Sequence, residues 1–480
     1  MSLSDNRAPG PSTAPAHPAE PEPGHTARVT NLILFTGKGG SGVTTLAAAT
    51  AAHGAQRGMR TLLLSLGSLG SDGDGVDLST VLDHPVGPVP TQVDGLLYAQ
   101  AFAPQAAFEQ WYAAAVAKVR TLVETIGLTP PDAAELLAPP GAGEPLALAE
   151  IAAAVEGGAW DLVVVDGPAL GQALRLLTLP VAARDWLSRT RPVQTQAARA
   201  LRPMLATFAG LPLPQTALVD LTERMQRECA AAQEVLAHQL SSVRLVATPD
   251  IVGLDRLRAA RCALSLFGLR LDALMVNRKV VEAPRDSWSR GWVAAQQIAA
   301  DQLAEVFGGV ARHEVPYRPC EPLGLEELAV VAAAAYGEAD GLGAPGQPPE
   351  PAVSKNSDGY VLSVPLPGAD RRAMGLLRRD EEIVLTVGPY RRTLRLEPVL
   401  RRCRIAGAVL RNQALEIRFV PDPGQWPAAA RESSSGPAAG AAPGSGAADP
   451  PRGGSAAGPG NGPAAASEGP SPAASPAASP

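Results

Sequence analysis

Residues 37 to 45 read GKGGSGVTT, and their types and spacing are those of a loop built to hold phosphate. Gly37, Gly42 and Thr44 fit the pattern G-x-x-x-x-G-x-[ST], with Gly39 and Gly40 between them and Thr45 after. Glycines let backbone N–H groups converge on phosphate oxygens, and a helix starting after the loop adds the positive end of its dipole. Thr44 would then offer its hydroxyl to Mg²⁺. A second candidate is Asp166, which follows the apolar run WDLVVV and stands where a carboxylate commonly holds Mg²⁺ directly or through water. Each has a plainer alternative: a glycine-rich turn without a ligand, and an Asp that only caps the following turn. The loop also lacks a part, because Val43 occupies the position of the phosphate-holding lysine.

These residues need strands that end, and helices that begin, at one edge of a sheet. The chain alternates short apolar runs (VTNLILFT, RTLLLSLG, WDLVVVDG, SVRLVATP, LDALMVNR) with helix-length stretches. Such runs predict buried parallel strands of an α/β fold. Segments 104–145 and 181–240 show helical spacing without strands and predict a helical insertion. Gly/Pro-rich residues 339–358 predict a linker, and residues 359–421 alternate apolar and polar side chains as a small antiparallel β-domain does. The expected organisation is therefore a nucleotide-binding body over 28–338 and a β-domain over 359–421. Residues 1–27 and 422–480 are flanking tails rich in Ala, Gly, Pro and Ser, of a composition expected to be disordered.

A net charge of −6 over 480 residues, with no basic block, does not point to nucleic acid. No charged-then-apolar leader and no apolar run of membrane-spanning length is evident, so a soluble cytoplasmic protein without a membrane span is expected. Cys229, Cys262, Cys320 and Cys403 are far apart and form no C-x-x-C pair, which signals neither a disulfide framework nor a zinc site. A dinucleotide-binding alternative fails because LLLSLGS ends the second strand without the carboxylate that would hold a ribose.

GKGGSGVTT resembles the deviant phosphate loop of the ArsA family, the dimeric ATPases that include the arsenite-pump subunit and the factor that targets tail-anchored proteins. In that family the early lysine, here Lys38, reaches the partner's nucleotide; the chain has only four lysines, and one stands here. DGPALGQALRLLTLP, residues 166 to 180, is similar to the family's second switch, keeping Asp166, Gly171, Leu174, Arg175 and Pro180 with Gln172 in place of His. By the same resemblance Asn277 contacts the adenine base, and VPYRPCEPLGLEEL, including Pro316, completes the base pocket. The β-domain resembles the small-heat-shock-like (α-crystallin-type) domain of bacterial members. The resemblance implies ATP and Mg²⁺, a homodimer or a dimer with a catalytically intact paralogue, and a protein client with apolar segments.

Two positions depart from the family. Val43 replaces the lysine on the β and γ phosphates, and Gly67 stands where the first switch has the water-positioning Asp; Asp72, Asp74 and Asp77 follow a few residues later. Removing one such electrostatic group costs on the order of 100- to 1,000-fold in rate. The expectation is thus a weakly binding, weakly or non-hydrolysing relative, in which Lys38 and Asp166 are the remaining catalytic candidates. The alternative is an active ATPase whose hydrolysis opens a dimer to handle a client or partner.

Overall fold

The computed structural model describes residues 30–69, 77–125, 129–187, 189, 215–280 and 286–424. The expected N-terminal tail, the expected C-terminal tail past residue 424, and Asp72 and Asp74 lie outside the described residues. Eight strands form one sheet in the order β3-β4-β2-β5-β1-β6-β7-β8, parallel throughout except that β3 (Thr91–Asp94) runs antiparallel to β4 (Leu97–Ala101). The central strands are β1 (Asn31–Gly37), β2 (Thr61–Ser65), β5 (Leu162–Ala169), β6 (Ser241–Ala247), β7 (Leu271–Lys279) and β8 (Ala311–Pro316).

The continuous apolar runs are explained by burial on both faces. In β1, Leu32 and Leu34 point into one core layer while Ile33 and Phe35 point into the other, as a pleat of period two requires. One layer is covered by α1 (Val43–Gln56) and α9 (Gly324–Tyr336). Alanines 47, 48, 49, 51 and 52 of α1 let that helix lie close on the sheet. The other layer receives α4 (Gly143–Glu156), a helix over 170–187 (α5), α6 (Gln215–Leu236), α7 (Leu254–Leu266) and α8 (Ser287–Val306). Of the two segments read as a helical insertion, 104–145 contains α3 (Pro104–Thr125) and 181–240 contains α6, while α4 begins only at Gly143.

The C-terminal part is two antiparallel sheets, β14-β15-β10-β9 and β11-β12-β13, which match the expected small β-sandwich. Strand β9 (Ala352–Asn356) falls within the stretch expected to be linker, pairing Ser354 with Val361 of β10 (Gly359–Pro365). The remaining strands are β11 (Met374–Arg379), β12 (Glu382–Val387), β13 (Tyr390–Arg395), β14 (Cys403–Arg411) and β15 (Ala414–Pro421). Its core residues Leu362, Val364, Ile383, Leu385 and Ile417 are continuous with those of α7. The seam is also polar: the Ser265 hydroxyl donates to the Pro365 carbonyl at 2.8 Å, Arg261 donates to Gln413 Oε1 at 3.3 Å, and Arg392 donates to the Leu266 carbonyl.

Upstream of β9, the connecting chain is strapped to the large sheet. The buried Arg244 guanidinium pairs with Asp272 at 3.1 Å and donates to the Gly341 carbonyl at 2.7 Å. Arg57, at the end of α1, pairs with Asp340 at 3.0 Å.

Candidate functional site

The loop 38–42 leaves the carboxyl end of β1, beside the ends of β5 and β6, where open α/β sheets bind ligands. Two of its glycines are fixed by sterics. A Cβ on Gly37 would stand 2.3 Å from the Val246 carbonyl oxygen, and one on Gly42 would stand 2.3 Å from Asn277 Nδ2 at a φ of 91°. Ser41, 1% exposed, donates its hydroxyl to the Val246 carbonyl at 3.4 Å. Its own carbonyl accepts Asn277 Nδ2 at 2.8 Å. The loop is therefore held from below by β6 and β7, while Lys38, Gly39 and Gly40 stay exposed.

Helix α1 starts at Val43 with no side-chain cap and no acidic residue in its first turn. The N–H groups of a first helical turn lack intrahelical partners, so this end favours an anion. Val43 itself packs against the apolar layer beneath α1. It offers the loop no charge.

Asp166 lies in the carboxyl half of β5, in register with Ser65 at the end of β2, and is 2% exposed. Its Oδ2 accepts the Ser65 hydroxyl at 2.8 Å, and the Thr44 hydroxyl lies near enough to favour its charged form. Burial pushes the carboxyl up to about 6, against the lowering effect of those two hydroxyls. An isolated buried carboxylate is costly, and a divalent cation at its oxygens removes the cost. Mg²⁺ is commonly held by one or two protein oxygens plus substrate phosphate and water, and Thr44 with Asp166 beside an anion-favouring helix end fits that donor set. Among the described residues no cluster of three His, Cys, Asp or Glu could hold a metal unaided.

The other sequence candidates fall in different places. Lys38 Nζ lies 3.4 Å from Asp250 Oδ1 and 3.5 Å from the Val252 carbonyl, just past β6, so it is turned along the rim within its own chain. Asn277 Oδ1 accepts Arg278 N–H at 2.9 Å; its amide nitrogen and oxygen each already have a backbone partner in the loop's support. Pro316 ends β8, one strand beyond Asn277, paired with Lys279 of β7. Gly67 opens a single 3₁₀ turn, its N–H 3.4 Å from Ser65 Oγ, and Gln172 donates to the Leu69 carbonyl at the end of that turn. Asp77 instead caps α2 (Leu78–Leu82), its side chain accepting Ser79 N–H at 3.1 Å.

Ser65 escaped the sequence reading, because only the pairing of β2 with β5 brings it against Asp166. Asp250 escaped as well, being 212 residues from Lys38.

This geometry agrees with the comparisons. The family model for the anion-transporting ATPases (ArsA) matches residues 30–337, and the model for the HSP20-like domain found in ArsA matches residues 357–419. The chain belongs to the anion-transporting ATPase family. An uncharacterized protein of Streptomyces coelicolor is 39% identical over 401 residues, covering 82% of this chain and 98% of the relative. A protein of Mycobacterium tuberculosis is 30% identical over 420 residues, covering 82% and 97%. A protein of Aquifex aeolicus, whose name provisionally makes it an arsenical pump-driving ATPase, is 26% identical over 383 residues, covering 77% and 95%.

The family's ATPase domain implies use of nucleotide and Mg²⁺ in general terms. Cys262 and Cys403 are buried and free, as small apolar side chains, and burial pushes the Cys262 thiol up to about 12. No described helix is long and apolar enough to cross a membrane.

Proposed function

We propose that this family member binds ATP with Mg²⁺ at the loop 37–45 and turns it over slowly or not at all. The observation that carries the reading is the pairing of an uncapped helix end with a buried carboxylate that Ser65 holds beside Thr44. Gly37, Lys38, Gly39, Gly40 and Gly42 would give backbone donors to the phosphates, with Thr44 and Thr45 at the start of α1. Thr44 and Asp166 would hold the metal, and Asn277 and Pro316 would flank the base. Bound Mg²⁺ would neutralise charge on the β and γ phosphates. Thr44 would orient toward it, and Asp166 would hold Thr44 and the metal's water shell in place.

Catalysis is short of two groups. Val43 brings no ammonium to the transferred phosphoryl group, and Gly67 brings no carboxylate to a water, which costs rate far more than affinity. One lost charged contact weakens binding by about 1.5–3 kcal/mol, so binding at micromolar to millimolar strength survives. A cytoplasmic homodimer, or a dimer with an intact paralogue, would place Lys38 at the partner's nucleotide once it leaves Asp250. The HSP20-like domain over 359–421, with β9 added at its sheet edge, would take apolar client segments.

The test is calorimetric titration of the full chain with Mg-ATP and Mg-ADP beside a phosphate-release assay, with Thr44→Ala as control. Binding that Thr44→Ala weakens, without phosphate release, is expected. Mg²⁺-dependent turnover abolished by Thr44→Ala would establish the active-ATPase alternative instead.

A further inference from the structure

Three exposed aromatic side chains form a line of ring contacts at the carboxyl edge of the large sheet, with Trp292 in the middle. Trp288 and Trp292 lie four residues apart on the first turns of α8 with ring centroids 5.6 Å apart. Trp292 and Tyr317 meet edge to face at 5.7 Å. Trp288 is 74% exposed and Tyr317 51%, in a chain that is only 4% aromatic. Single exposed apolar residues are ordinary, but rings gathered at a rim are not.

The frame beneath them is rigid and tied to the loop's own support. Tyr317 N–H donates to the Lys279 carbonyl at 2.8 Å, fixing the ring to a segment two residues past Asn277. Gln296, one helical turn beyond Trp292 and 7% exposed, donates to the Arg278 carbonyl at 3.1 Å and accepts Val280 N–H at 2.9 Å. Those bonds hold Arg278 at a φ of 61°, a left-handed conformation that costs energy outside glycine and is kept only where the surroundings impose it. Asp286 sets the start of α8 by accepting Ser289 N–H at 2.9 Å.

Position along the edge bears on what could reach the rings. The strand order β1-β6-β7-β8 puts the end of β8 three strands from β1, about 14 Å at the usual spacing. An extended nucleoside triphosphate spans a comparable length from its terminal phosphates to its base. With phosphates at the loop, the base lies over the ends of β7 and β8. Asn277, which could read a base edge there, already gives one amide N–H to the Ser41 carbonyl and accepts Arg278 N–H at its oxygen.

Resting on the nucleotide-binding reading above, we infer that the base is held by stacking on the Trp292–Tyr317 pair rather than by hydrogen-bond reading of its edge, so that ATP and GTP bind alike. Every base has a π-face, and stacking therefore discriminates little between them.

The experiment measures ATP, GTP and inorganic triphosphate binding, each with Mg²⁺, to the full chain and to Trp292→Ala, Trp292→Phe and Tyr317→Ala. Expected is a loss of about tenfold for both nucleotides in the alanine variants, triphosphate binding unchanged, and near-normal binding in Trp292→Phe. Alanine variants that bind ATP as the parent does would overturn the inference while leaving nucleotide binding intact. Equal loss for all three ligands would assign the rings a structural role, and a change only in sedimentation would assign them to a subunit interface; either refutes the base platform. A strong preference of the parent for ATP over GTP would refute base-tolerant stacking. A parent chain that bound triphosphate but neither nucleotide would refute it too, and one that bound none of the three would refute both readings at once.

Discussion

Replacing Asp166 with asparagine sets stability against function at one atom. The carboxyl titrates at about 6 in the fold against an ordinary 3.8, chiefly because burial disfavours its charge. That gap corresponds to roughly 3 kcal/mol of stability, present when the group is protonated and lost as pH rises through 6. Between pH 5 and pH 8 the folded protein releases a proton that the unfolded chain has already largely lost, so the loss over that window is about 1.4 kcal/mol. Asp166→Asn stays neutral throughout. Denaturant unfolding without metal should therefore show the stability difference between parent and variant shift by about 1.4 kcal/mol in the variant's favour from pH 5 to pH 8. Adding Mg-ATP at pH 8 should raise the melting temperature of the parent and leave that of the variant nearly unmoved. A difference independent of pH would refute burial of the charge as the cause, and a metal-dependent rise in the variant would remove Asp166 from the site.

Val43→Lys with Gly67→Asp should raise phosphate release by at least 100-fold over the parent, and a Cβ at position 67 has room, 3.6 Å from Ser65 Oγ; steady-state turnover with Thr44→Ala as background checks it. Gly37→Ala should cost 2 kcal/mol or more, about the upper range for a backbone clash, because its Cβ would meet the Val246 carbonyl; chemical denaturation reads the loss. Arg244→Leu leaves Asp272 buried without its partner and frees the Gly341 carbonyl, so about 3–5 kcal/mol of stability should go and limited proteolysis should cut near residue 341 sooner. Lys38→Ala removes only a half-exposed pair with Asp250, and should change the unfolding free energy by less than about 1 kcal/mol.

The α/β fold was legible because buried parallel strands cannot hide: β1, β2, β5, β6 and β7 are runs of Leu, Val and Ile in the sequence as they are in the core. Strand β9 was not, since AVSKN at a sheet edge has only one partly buried side chain to mark it. The loop and Asp166 were readable from spacing within a few residues. What spacing does not carry is register across the sheet: Ser65 against Asp166, Asp250 against Lys38, and Gln172 against Leu69 each join residues about 100 or more positions apart.

Helix α7 begins at Leu254, just past the loop that receives Lys38, and ends at Leu266, whose carbonyl Arg392 of the β-sandwich holds. With Ser265, Arg261 and a continuous apolar seam on the same helix, the sandwich is mounted on the sheet's α7 flank as one solid. The mounting consumes surface. Any client of the sandwich must be met on the faces turned away from α7, and a chain cut before residue 352 would lay its apolar flank open to water, so the shortened protein should clump in the tube and the cell rather than behave as a simpler version of the whole.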